Sequence, residues 1–71
     1  MYDIGTRAAE AIEERAKRDG TKVSEECERA GISRQVYRAW KIKRNLPGGY
    51  LLRRMLQAGY DVDYILLGVK K

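Results

Sequence analysis

Histidine is absent from the 71 residues, and cysteine and proline occur once each, as Cys27 and Pro47. Without histidine the usual zinc sites and the imidazole general base drop out together, and a single cysteine cannot close an internal disulfide. No phosphate-binding glycine loop, metal-ligand spacing or serine triad can be assembled from what remains, so no enzyme, cofactor or metal site is expected. Nor is there a run of the roughly 18 apolar residues that a membrane span needs. The opening Met1-Tyr2-Asp3-Ile4-Gly5 has no basic stretch followed by an apolar one, so no secretory signal is read and a cytoplasmic location is expected. Alternating strand patterns, internal repeats and low-complexity tracts are missing as well.

One further absence is local. Between Ser33 and Leu46 there is no acidic residue, while Arg34, Arg38, Lys41, Lys43 and Arg44 supply five positive charges, equal to the whole net charge of +5. The segments before it are nearly balanced. A charge excess gathered on one element is what a surface that meets phosphate requires, although a plain solvated basic face has the same composition.

What is present reads as helices. Ile4, Ala8, Ala11, Ile12, Arg15 and Ala16 recur at helical spacing and predict a first helix from about Asp3 to Arg18, stopped by Gly20. Thr21 is placed to cap a second helix over about 22–30, with Val23, Cys27 and Ala30 forming a narrow face of small apolar residues. Gly31 ends it, Ile32 is a lone apolar residue in the turn, and Ser33 has the chemistry to cap a third helix over about 33–43. There Val36, Tyr37 and Trp40 face inward. Asn45-Leu46-Pro47-Gly48-Gly49 is a breaker cluster. Tyr50, Leu51, Leu52, Met55, Leu56 and Ala58 predict a fourth helix ending at Gly59, and Asp61 caps a fifth in which Val62, Ile65 and Leu66 share a face, closed by Gly68. The expected fold is a single all-α domain over 1–71, a bundle of about five short helices.

The stretch from Val23 to Trp40 is the physical recipe for a helix-turn-helix. A short turn containing glycine sets two helices at a steep angle, the small Cys27 lets them cross, and the second helix is free to enter a DNA major groove. Tyr37 and Trp40 would lock that helix to the core. Arg34, Gln35 and Arg38 point outward at its start, where arginine can read guanine and glutamine adenine. Ser33, Lys41, Lys43 and Arg44 are expected to hold phosphates, Ser33 beside its capping role. Cys27 is read as a packing residue.

At these residues the chain resembles the lambda repressor and Cro-like helix-turn-helix regulators, the xenobiotic-response-element family. Ala30-Gly31-Ile32-Ser33-Arg34 matches the family's turn, Trp40-Lys41-Ile42-Lys43-Arg44-Asn45-Leu46-Pro47 its aromatic-to-proline segment in length, and Gly59-Tyr60-Asp61-Val62-Asp63-Tyr64-Ile65-Leu66-Leu67-Gly68 its closing helix. With Pro47-Gly48-Gly49, the combination is similar to a branch common among bacterial and prophage repressors. The resemblance covers nearly the whole chain and implies a repressor of the bacterial cytosol and nucleoid, with no added effector domain. Three positions depart from the pattern. Glu26 stands where the family has a buried leucine, which predicts a looser or shifted second helix; Val23 replaces a phosphate-binding glutamine, and Lys43 a frequent glycine.

The expected partner is double-stranded DNA, bound by a homodimer on a two-fold operator with recognition helices about 34 Å apart. So small a core favours dimerisation, and Tyr60, Tyr64 and Leu67 near the C-terminus are candidates for the shared surface. An antitoxin binding both a toxin and its own operator is a near alternative, and a protein-interaction module of the same shape a more distant one.

Overall fold

The computed structural model describes residues 4–42 and 47–68; Lys43, Arg44 and the Asn45-Leu46 part of the loop lie outside them, as does Asp3. Five helices follow in order: α1 (Ile4–Asp19), α2 (Val23–Ala30), α3 (Arg34–Lys41), α4 (Gly49–Gln57) and α5 (Val62–Leu67). No strand occurs among the described residues, and none of the helices is long and apolar enough to cross a membrane. The Cα radius of gyration is 10.9 Å. About 11 Å is expected for a compact chain of this length.

α1 is the wall against which α2, α3 and α5 pack. Its inward stripe carries Ala8, Ala9, Ile12 and Ala16, three of them alanines, so neighbouring backbones can come close. Across from it lie Cys27 and Ala30 of α2, Trp40 of α3, Met55 of α4 and Ile65 of α5, all buried, with Ile32 and Tyr60 inserted from the turns. Two arginines of α1 close the ends of the C-terminal helices. Arg15 Nη1 donates to the Ala58 carbonyl at 2.5 Å, and Arg7 donates through Nε to Ile65 O at 2.9 Å and through Nη2 to Leu66 O at 3.2 Å. Each places a cation on carbonyls that a helix end leaves unpaired, where the helix dipole also favours it.

Several local expectations are corrected here. Thr21 does not cap α2. Its hydroxyl donates instead to Glu26 Oε2 at 2.5 Å, and the helix starts one residue later from Lys22, whose N–H is taken by Glu25 Oε1 at 2.8 Å. Glu26 is buried within α2, and Cys27 and Ala30 keep the inward positions expected of them, so the register of the helix is not shifted. The Glu26 side chain is 1% exposed and is satisfied by Thr21 together with Arg29 Nη1 at 3.5 Å, so the carboxylate occupies the inward position with its own partners. Leu66, read as sharing a face with Val62 and Ile65, is exposed, as is Leu56 of α4, because Met55 and Ile65 beside them take the core positions. Asp61 caps α5 as its sequence implies, accepting from the Tyr64 N–H at 3.0 Å.

Candidate nucleic-acid interface

The segment that presents α3 is built from three residues of different chemistry. Gly31 follows α2 with φ at +72°, a conformation open to glycine, and its N–H bonds the Glu28 carbonyl at 3.1 Å while the Ile32 N–H bonds the Cys27 carbonyl at 2.8 Å. That pair of bonds terminates α2 and turns the chain. Ile32 then drops its side chain into the core, and Ser33 Oγ accepts the Val36 N–H at 3.1 Å to start α3. A side chain at position 31 would meet Arg54 of α4, since a Cβ there would lie 2.1 Å from Arg54 Nη1. Arg54 is held in place by donating to Tyr50 Oη at 2.5 Å with its guanidinium over the Tyr50 ring. It sets a cation beside the turn, brought there only by the packing of α4 against α2.

α3 is divided lengthwise. Trp40 is buried, and Val36 and Tyr37 are half-buried against the core, so one side of the helix is fixed. Arg34, Gln35 and Arg38 are exposed on the other side, in its first turn and a half. None of the three side chains makes a hydrogen bond or ion pair among the described residues. No acidic residue lies on the helix, whose N-terminal N–H groups add partial positive charge to that end.

Lys41 stands apart from this group. Its ammonium is bound to Glu13 Oε2 of α1 at 2.5 Å, and the Tyr37 hydroxyl donates to the same oxygen. Burial raises the Glu13 carboxyl, but the hydrogen bonds from Lys41 and Tyr37 and the Lys41 charge outweigh it and hold the group below the usual carboxylate range. The Tyr37 phenol is pushed up to about 12 by burial and by the bond it donates to the carboxylate. Lys41 is raised as well, chiefly through its bond to Glu13. No sequence pattern identifies Glu13, which is 28 residues from Lys41 and meets it only when α1 and α3 pack.

The remaining motif residues are packing residues. Cys27 and Ala30 are buried where α2 meets its neighbours, and Val23 is half-buried at its start. Burial pushes the Cys27 thiol up against a smaller opposing pull from Arg34, which keeps it protonated. Of the three residues expected at a C-terminal surface, Leu67 is exposed and Tyr64 half-buried, whereas Tyr60 is only 6% exposed, its ring under the Arg15 guanidinium at 3.9 Å. Tyr60 is thus a core residue and not available to a partner. Compared with known proteins, the chain matches no family model, no curated protein and no solved structure.

Proposed function

We propose that this chain is a sequence-specific regulator that binds double-stranded DNA by placing α3 in the major groove, acting as a homodimer on a two-fold operator. The observation that carries this reading is the outward start of α3. Arg34, Gln35 and Arg38 are exposed and without protein partners among the described residues, on a helix whose opposite side is fixed by Trp40. An arginine fork matches guanine O6 and N7, and a glutamine amide matches adenine N6 and N7, so these residue types at a helix start suit base reading. Ser33 and the free N–H groups of that terminus suit a neighbouring phosphate.

Lys43 and Arg44 extend the phosphate-binding set in this reading, and Leu67 with Tyr64 supplies the dimer surface. Repression by occupying a promoter, of the phage or mobile-element kind, is the role that fits a small cytoplasmic DNA binder of this design. Fluorescence anisotropy on a selected duplex and on random duplex tests it. Arg34→Ala and Gln35→Ala are each expected to cost about 1–3 kcal/mol on the selected site and to relax specificity at one base pair. Equal losses on both duplexes would exclude base reading by these side chains.

A further inference from the structure

We propose that Glu13 is a positioning residue for α3 that also withholds Lys41 from nucleic-acid phosphate; the withholding rests on the DNA-binding function proposed above, the positioning does not. One oxygen, Glu13 Oε2, accepts from both the Tyr37 hydroxyl and the Lys41 ammonium. Tyr37 and Lys41 stand four apart on α3, one turn above the other on the same face. A single acceptor on α1 that spans them fixes how far α3 is rotated about its buried stripe and where it sits along α1. Trp40 alone, a smooth apolar contact, fixes neither so sharply.

The same contact changes what Lys41 can offer. An ammonium contributes to DNA affinity chiefly by releasing the counterions of the phosphate it neutralises. Lys41 is already neutralised by Glu13 at 2.5 Å, so a phosphate approaching it meets an ion pair of no net charge. Arg34 and Arg38, with no such partner among the described residues, keep their full charge for the groove. The basic surface of α3 is therefore concentrated at its N-terminal end, where bases are read.

The salt dependence of duplex binding decides between a withheld and a phosphate-bound Lys41. With the full chain and one defined duplex probe, Lys41→Gln is expected to leave the slope of log affinity against log salt unchanged. Glu13→Gln frees the ammonium and steepens the slope by about 0.9, and the double variant returns to the wild-type value. A slope flattened by about 0.9 in Lys41→Gln, or unmoved in Glu13→Gln, overturns the withholding. The positioning is read without DNA, from the titration of the Tyr37 ring by NMR. Its midpoint is expected to fall below about 12 in Glu13→Gln, and an unmoved midpoint overturns it. Failure to bind any duplex would remove the DNA function and the withholding with it, while the Tyr37 titration still decides the positioning.

Discussion

Glu26 and Tyr60 bring polar atoms into the interior in opposite ways. The Glu26 carboxylate has Thr21 and Arg29 as partners, so its burial is compensated. The Tyr60 hydroxyl is buried with no hydrogen-bond partner among the described residues, although its ring is covered by Arg15. An unsatisfied buried hydroxyl costs about 1–3 kcal/mol. Tyr60→Phe keeps the ring and removes the cost, so the variant is expected to raise the urea-unfolding free energy by about 1 kcal/mol; a loss of that size would show that the hydroxyl is paired after all. Neither arrangement could be read from the chain in advance. The donor for Glu26 sits before the helix that carries it, and the arginine over Tyr60 comes from α1, so composition alone suggested a misplaced acid and a surface aromatic.

Helix ends and faces were more legible because their physics is local. The Gly31 stop, the Ser33 and Asp61 caps and the inward Val36, Tyr37 and Trp40 all depend on residues within one or two turns. The seam between α1 and α3 depends on packing and was invisible for that reason. It also makes stability depend on pH at both extremes. Glu13 is lowered in the folded chain, so its contribution is complete above the unfolded value near 4.5 and disappears as pH falls through the lower folded value. Tyr37 is raised from 10.0 to about 12, so its contribution is complete below pH 10 and disappears as pH rises through 12. Denaturant unfolding of wild type and Glu13→Gln across pH is expected to differ most near neutrality and to converge progressively as pH falls below 4.5. A constant difference down to pH 2 would show that Glu13 is not ionised in a pair with Lys41.

For the molecule as a whole, the absence of strand patterns and the five apolar stripes at helical spacing were enough to give the all-α architecture. The partner was not fixed in the same way, because a helical bundle of this size serves many functions and only the site can specify one. What singles out α3 is charge placed on an element whose inner side is anchored. In a chain of net charge +5, the described part of α3 carries Arg34, Arg38 and Lys41 with no acid, and Lys41 alone is answered from α1. A merely basic surface would bind any duplex weakly and lose it with salt, whereas a reading helix selects.

Selection from a random-sequence duplex pool at low and moderate salt, with the bound fraction recovered and sequenced, separates these two behaviours. Major-groove reading by a dimer is expected to enrich a palindrome whose half-site centres lie about one helical turn, roughly 34 Å, apart and to survive the higher salt. Binding that enriches no sequence and vanishes at moderate salt would contradict it, leaving α3 as an electrostatic surface and the DNA-regulator function without support.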